Sequence, residues 1–255
     1  MAKPCRLHIG GIPALLLAAC SSANDKPERT VREATPAQVD LAGTVVDGGC
    51  RHSGTNADGS VQFILTCPQT SRSPDGSWAL VQTRSVGAEE RYRVYVADAE
   101  GREVGDIPSL NDAMPFVLRW SPQPNWFFVN HYLGSSLERL RVFELVDHGL
   151  VERSDLLASA TRVMVDRYPC LAKVTTVAVS GWRWGRDGRR VVMDAYVRPD
   201  TCLEQVGPND WRPVGDWEPL WMIGDVTSGE IDPTSVRVRK AGVGAMPKDG
   251  PYATL

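Results

Sequence analysis

Histidine, aspartate, cysteine and tryptophan are the side chains of this sequence whose chemistry goes beyond packing. The chain has four histidines, and none stands at metal-ligand spacing from a second histidine or a carboxylate pair. The G-x-S-x-G motif and the S-x-x-K motif set of serine enzymes are both missing from the sequence. The sequence therefore predicts no catalytic residue, no metal site and no cofactor, and the protein is not expected to be an enzyme.

Aspartates recur at Asp75, Asp98, Asp187 and Asp194. A catalytic carboxylate pair needs a separation of roughly 5 to 10 Å, which spacing in the sequence cannot establish. Three of these residues stand in or beside predicted turns, where a carboxylate accepts hydrogen bonds from the backbone. We therefore favour turn caps and strand edges over a catalytic role.

Tryptophan is frequent, with eight residues in the chain. Trp211, Trp217 and Trp221 cluster late in the sequence and are the candidate binding residues. An exposed indole ring can stack on a sugar or anchor a protein partner. Core packing is the simpler alternative. In Trp182-Arg183-Trp184, strand alternation predicts that both indoles lie on one sheet face and Arg183 on the other.

The first 20 residues follow the order of a secretory signal. Lys3 and Arg6 precede an apolar stretch, Ile12 to Ala19, which is far shorter than the roughly 18 residues of a spanning helix. The stretch ends in Leu17-Ala18-Ala19-Cys20, which resembles the lipobox of bacterial lipoproteins. That resemblance implies removal of residues 1–19, a diacylglycerol thioether on Cys20 and acylation of the new amine. The alternative is a buried helix that happens to contain a cysteine.

A lipid anchor at Cys20 implies a place in the cell envelope. Multiple acyl chains hold a protein firmly on a membrane. Ser21 and Ser22 follow the cysteine, and the resemblance then implies sorting to the periplasmic face of the outer membrane. Residues 20–40 are polar and predict a flexible tether.

Four cysteines remain beyond the signal, namely Cys50, Cys67, Cys170 and Cys202. An even number in an exported chain indicates disulfides, and their spacing is unlike that of a zinc site. Proximity in the sequence favours Cys50–Cys67 and Cys170–Cys202 among the three possible connectivities.

Charge and composition exclude several classes of protein. Lys and Arg number 28 against 31 Asp and Glu, a balance unlike that of a nucleic-acid-binding protein. With 23 Gly and 18 Pro, the chain is expected to be a turn-rich β protein. Residues 41–240 would form the folded domain, and residues 241–255 an extended or disordered tail.

Six β-rich runs lie in residues 41–240: Trp78–Gln82, Tyr92–Ala97, Trp126–His131, Arg139–Leu145, Arg190–Val197 and Pro219–Val226. One segment, Ser154–Asp166, has helical spacing of its apolar residues and begins with a capping residue. The strands fall into three similar frames, starting at Ser73, Ser121 and Gly185. Each frame consists of a turn, a strand, a variable hairpin, a second strand and a closing Asp/Gly turn.

The motif Ser73-Pro74-Asp75-Gly76, followed by strands and the run YVAD, resembles the TolB-like β-propeller repeat. The resemblance covers about residues 70–232 and implies an Asp cap and a left-handed Gly in the turns of the first and third frames. In the second frame, Gln123-Pro124-Asn125 replaces the Asp-Gly pair. Three frames are fewer than the four blades of the smallest ring. A degenerate fourth blade can be accommodated in residues 43–67, where Asn56-Ala57-Asp58-Gly59 precedes Val61–Thr66. The expected fold is mainly β: a propeller-like stack of three or four small antiparallel sheets, incomplete or four-bladed, with one inserted helix.

Three functions remain open. The favoured one is an envelope lipoprotein whose β domain binds another envelope protein as a scaffold or accessory subunit. The alternative is a glycan- or peptide-binding domain that uses the late tryptophans, and a hydrolase is less favoured still. Propellers serve all three purposes, so the resemblance does not choose among them.

Overall fold

The computed structural model describes residues 56–63, 68–85, 91–110, 114–134, 137–147, 149–173, 177–198, 202–213, 215, 217–240 and 245–255. The predicted signal, Cys20, the tether, Cys50 and Cys67 lie outside the described residues. No helix in the described part of the chain is long and apolar enough to span a membrane.

Three stretches of the chain fold into the same four-stranded antiparallel meander. Meander 1 consists of β2 (Gln69–Arg72), β3 (Trp78–Ser85), β4 (Arg91–Asp98) and β5 (Glu103–Asp106). Meander 2 consists of β6 (Phe116–Trp120), β7 (Trp126–Tyr132), β8 (Glu138–Val146) and β9 (Gly149–Arg153). Meander 3 consists of β10 (Ala178–Trp184), β11 (Arg190–Tyr196), β14 (Leu220–Asp225) and β15 (Glu230–Ile231). The three frames of the sequence are thus three equivalent structural units, and all six predicted strands are present.

The remaining elements connect or extend these meanders. The strands are β1 (Val61–Phe63), β12 (Leu203–Gly207), β13 (Asp210–Pro213) and β16 (Arg237–Val238). Among the described residues there is one α-helix, α1 (Asp155–Arg167), and the 3-10 helices are Pro108–Leu110, Pro169–Lys173, Pro233–Ser235 and Gly250–Thr254. The expectation of a mainly β protein with several antiparallel sheets and one helix is confirmed.

Meanders 2 and 3 are not separate sheets, unlike the small sheets expected from the sequence. A parallel bridge between Arg139 and Val179 joins β8 to β10, and the result is one ten-stranded sheet. β1 adds to the edge of this sheet by pairing with β6, so the Asn56–Gly59 turn leads into meander 2. Meander 1 keeps its own four-stranded sheet.

In meanders 1 and 3, the turn between the first two strands, called the opening turn here, is held by the hydrogen bonds that the sequence predicts. Asp75 Oδ1 accepts from Ser77 N at 3.1 Å, and Gly76 has φ +76°. Asp187 Oδ1 accepts from Arg189 N at 3.0 Å, and Gly188 has φ +68°. Since a left-handed residue is required directly after the capping Asp, glycine is the residue with the least strain.

The turn before β1 has the same construction. Asp58 Oδ1 accepts from Ser60 N at 3.0 Å, and Asn56 N donates to Ser60 O at 2.7 Å. The Asn56–Gly59 segment is therefore a fourth copy of the turn. Among the described residues it is followed by the three-residue strand β1, not by a fourth meander.

Meander 2 lies between two apolar layers. Phe127, Val129 and Phe143 pack with Leu80 and Val96 of meander 1 in one buried cluster. The opposite face contributes Phe128, Leu140 and Val142 to a second cluster, which is shared with α1 and meander 3. This is why β7 reads as a nearly continuous apolar run: both of its faces are buried, so alternation disappears.

α1 matches its predicted span to within one residue at each end. Leu156, Ala160 and Met164 are buried against the second cluster, as their helical spacing predicts. The helix begins after Ser154, but the Ser154 side chain makes no capping hydrogen bond. The backbone carbonyl of Ser154 accepts from Ala158 N at 3.1 Å instead.

The two indoles of Trp182 and Trp184 do not share a sheet face, so that prediction is wrong. The pairing of β10 with β11 shifts register between Gly181 and Arg183, which places a bulge at Trp182. Trp182 packs with the buried Trp221, whereas Trp184 packs on the cluster that contains Phe128. A bulge inserts one residue and reverses the alternation beyond it.

The end of the chain differs from the expected extended tail in its described part, residues 245–255. Tyr252 is 1% exposed, and its hydroxyl donates to Ser235 O at 2.8 Å. Leu255 is also buried, and Arg237 forms an ion pair with Asp249. Tyr252 and Leu255 pack in one apolar cluster with Trp221 of meander 3, and composition alone underestimates such anchors.

Candidate functional site

The disulfide between Cys170 and Cys202 is present, as predicted. Its Cα atoms are 5.6 Å apart, and it closes a loop across 32 positions of the sequence. The bond ties the 3-10 helix after α1 to the start of β12. Cross-linking a loop of this length contributes roughly 3 kcal/mol in the chain-entropy model. Cys50 and Cys67 lie outside the described residues, and their pairing stays a prediction.

The three late tryptophans occupy different environments. Trp211 is 56% exposed, whereas Trp221 is 1% exposed. The Trp221 ring meets Trp182 edge-on, with the ring centroids 5.0 Å apart. Trp217 is partly buried and packs on the core cluster that contains α1. Of the three, Trp211 alone presents a largely exposed ring.

Trp211 lies on a hairpin that stands apart from the larger sheets. Among the described residues, β12 pairs with β13 and with no other strand, and Gln205 lies opposite Trp211. Val206, at 51% exposed, is a second large apolar side chain on the same hairpin. β12 begins one residue after Cys202, so the disulfide ties the base of the hairpin to the domain.

Three of the four singled-out aspartates are turn caps. Asp75 and Asp187 hold the opening turns described above. Asp98 Oδ1 accepts from Arg102 N at 2.9 Å and from Glu100 N at 3.0 Å in the closing turn of meander 1. The hydrogen bonds of such turns lower the pKa of Asp98, although burial acts in the opposite direction.

Asp194 is different, because it is a buried strand residue. It is 1% exposed, and its Oδ1 accepts from Trp182 Nε1 at 2.9 Å. Its Oδ2 accepts from the guanidinium of Arg239. Burial raises the pKa of the Asp194 carboxyl, although the Trp182 hydrogen bond and the Arg239 charge act in the opposite direction.

Asp194 lines a cavity of about 420 Å³ where β7 and β8 meet β10 and β11. This volume is within the range of small-molecule sites. The cavity is lined mainly by polar side chains: Asn130, Glu138, Ser180, Asp194, Tyr196 and Arg239. It is therefore a candidate ligand site as well as a junction between meanders 2 and 3.

The junction is held by a buried amide. Asn130 Nδ2 donates to Gly181 O at 2.7 Å, and Asn130 Oδ1 accepts from Gly181 N at 2.8 Å. The side chain of Asn130, in meander 2, thus hydrogen-bonds both the backbone N–H and the backbone C=O of Gly181, in meander 3. A Cβ on Gly181 would lie 2.7 Å from Phe128, so the close approach of the two meanders requires glycine.

Glu138 faces the same cavity and is held by hydroxyl groups. Ser180 Oγ donates to Glu138 Oε2 at 2.5 Å. Tyr132 also hydrogen-bonds Glu138, and burial together with this carboxylate raises the pKa of Tyr132 to about 12. Burial and then the charge of Glu138 also raise the pKa of Tyr196. Both phenols therefore stay neutral at physiological pH.

The sequence analysis missed Glu138, Ser180 and Arg239 altogether. Asp194 was noticed, but as a turn cap or strand edge. The available signal was a single charged residue inside the otherwise apolar run Val191–Val197, where an ionised side chain needs a partner if it is buried. Its partner Arg239 lies after β16, and only the fold brings the two together.

No group of three or more His, Cys, Asp or Glu side chains in the described part of the chain is arranged to hold a metal ion. Comparison with protein-family models, curated proteins and solved structures gives no match for this chain.

Proposed function

We propose that this chain is a lipid-anchored protein of the bacterial cell envelope whose β domain binds a partner protein as a scaffold or accessory subunit. The anchor would be Cys20, and residues 20–40 the tether. The observation that carries the partner-binding role is the exposed hairpin β12–β13 with Trp211 and Val206. Aromatic anchors of this kind dominate the binding energy of many interfaces.

The base of the hairpin supports the proposal. The Cys170–Cys202 bond constrains the start of β12, so little flexibility would be lost there when a partner binds. Arg212 and Asp210 form an exposed ion pair beside Trp211, which is the polar rim expected around an apolar anchor.

We also assign the meanders a propeller-like arrangement. Support comes from their equivalent turns and from the face-to-face burial of meander 2 between its neighbours. Hydrogen bonds also connect successive frames at the same end. Ser121 Oγ donates to Gly188 O at 2.7 Å, and Trp120 Nε1 donates to Ser71 Oγ at 3.2 Å.

The test of the partner surface is site-specific photo-crosslinking in cells. A photoreactive residue at position 211 is expected to give one recurrent protein adduct. The matched control is the same residue at Arg186, which is exposed in the opening turn of meander 3. Trp211→Ala is expected to abolish co-purification of that protein. Equal crosslinking at both positions contradicts the proposal. Continued co-purification of the crosslinked protein with the Trp211→Ala variant also contradicts it.

The anchor is tested separately. A palmitate analogue is expected to label the wild-type protein and not Cys20→Ala, with Cys67→Ala as the cysteine control. Continued labelling of Cys20→Ala contradicts the assignment of the lipid to this residue.

A further inference from the structure

The charged side chains at the cavity between meanders 2 and 3, taken with their ion-pair partners, leave one carboxylate without a cation. Two guanidinium groups, those of Arg119 and Arg239, line the cavity together with the carboxylates of Asp194 and Glu138. Arg239 is paired with Asp194. Arg119 donates from Nη1 to Asp58 O at 2.7 Å and from Nη2 to Asp58 Oδ2 at 2.6 Å. Each of the two cations is therefore already paired with a carboxylate other than that of Glu138.

Glu138 has no such partner. Its carboxylate is held by the hydroxyls of Ser180 and Tyr132. These donors are neutral, so they orient the carboxylate without cancelling its charge. No ion pair within 4.0 Å connects Glu138 to a cation among the described residues. Counted together with Asp58, the charged groups at the cavity therefore carry one negative charge in excess, that of Glu138.

The walls suit a compact cation. Trp182 and Tyr196 border the cavity, and aromatic faces attract ammonium groups. Arg239 already lies over Trp182, with its guanidinium carbon 5.8 Å from the ring centroid. The volume of about 420 Å³ leaves space for a small organic molecule beside this pair.

We propose that this cavity binds the primary ammonium group of a small organic ligand, with Glu138 as its counter-ion. Ser180 and Tyr132 are positioning residues, since they hold the carboxylate in place. The ammonium donates to the Glu138 carboxylate in a charge-assisted hydrogen bond, which neutral analogues cannot form with equal strength. This site is independent of the proposed partner surface on β12–β13.

The indole N–H of Trp182 reports on the cavity, because it donates to Asp194 Oδ1. The experiment follows the indole resonances of the full-length, detergent-solubilised protein by nitrogen–proton correlation spectroscopy, with Trp182→Phe to assign the peak. Ethanolamine and putrescine are titrated, and N-acetylethanolamine and N,N′-diacetylputrescine serve as neutral controls. Saturable movement of the Trp182 peak with the amines, and none with the acetylated forms, is the expected result.

Glu138→Gln is expected to weaken the amine response by about tenfold or more, since it removes the ionic partner. Glu230→Gln is the matched control, because Glu230 is an exposed carboxylate at the start of β15. An unchanged response in Glu138→Gln overturns the proposal. So does an equal response to the acetylated compounds, no saturable response to the amines, or a response to calcium chloride in their place. The wild-type comparison of amines with acetylated forms decides the question even if Glu138→Gln does not fold.

Discussion

Asp58 shows how much one carboxylate can organise at a turn. Its Oδ1 accepts from the backbone and hydroxyl of Ser60, and its Oδ2 from Arg119 of β6. Burial acts to raise its pKa, but the Ser60 hydrogen bonds and Arg119 outweigh this and lower it to about 2. The same residue therefore caps the turn before β1 and connects that turn to meander 2.

Asp58→Asn is expected to reduce stability at neutral pH and to flatten the acid dependence. The pKa of about 2 in the folded protein lies below the ordinary value of 3.8 for aspartate, so the wild-type contribution is present above about pH 4. It is lost as the pH falls towards 2. The Asp58 side chain is 57% exposed, so the effect is limited to about 1 kcal/mol or less.

Urea unfolding at pH 7, 4 and 2.5 measures this difference. Asp210→Asn is the control, because Asp210 forms an exposed ion pair on the hairpin and caps no opening turn. If Asp58→Asn loses as much stability between pH 4 and 2.5 as the wild type, the assigned role of Asp58 is wrong.

Among the strands, β10 makes several of the contacts that join meander 3 to meander 2. It begins with the bridge to β8, continues with Gly181 against Phe128, and bulges at Trp182. The bulge sends Trp182 towards Asp194 and the cavity, and Trp184 towards the second apolar cluster. A regular strand would place both indoles on one side.

Gly181→Ala is expected to lower the free energy of unfolding by about 1 to 3 kcal/mol, because the added methyl overlaps Phe128 and Leu140. Gly207→Ala is the matched control. A Cβ at Gly207 meets Asp210 at an ordinary 3.5 Å, so a change within about 0.5 kcal/mol is expected. Chemical denaturation compares the two variants, and equal stability would mean that the meanders do not approach closely at Gly181.

The helix and the two central strands of each meander could be predicted from the sequence, but the first and last strands of each meander could not. Trp126–Tyr132 and Asp155–Arg167 carry strong apolar patterns, whereas Gln69–Arg72 is polar throughout. Such a strand is held by its pairing with β3, not by its own burial pattern. Local sequence cannot report a pairing partner.

At the scale of the molecule, the C-terminal segment closes over meander 3. Tyr252 packs with Trp221 and Val192, and Arg183 donates to Tyr252 O at 3.3 Å. Burial raises the pKa of the Tyr252 hydroxyl well above its ordinary range. The tail thus completes an apolar cluster on the face of meander 3 opposite α1.

Tyr252→Ala is expected to cost about 3 to 5 kcal/mol, as for other buried aromatic residues. Tyr252→Phe keeps the ring but leaves Ser235 O without its donor, at a cost of about 1 to 3 kcal/mol. Thermal and urea unfolding separate the two effects. If Tyr252→Ala is as stable as the wild type, the C-terminal segment does not stabilise the domain, and the extended tail expected from the sequence is favoured instead.

The repeating frame, the Asp-Gly turns, the helix and the cysteine pair Cys170–Cys202 could be inferred from the amino-acid sequence, whereas the signal at Cys20 stays a prediction. These features depend on neighbours within a few residues, on a side-chain period or on residue type. The tertiary structure was needed to show that meanders 2 and 3 share a sheet, that Trp221 is buried and that Trp211 is exposed. It also brought Glu138, Ser180, Asp194 and Arg239 to one cavity. Each of these outcomes depends on contacts between distant segments, which no local pattern encodes.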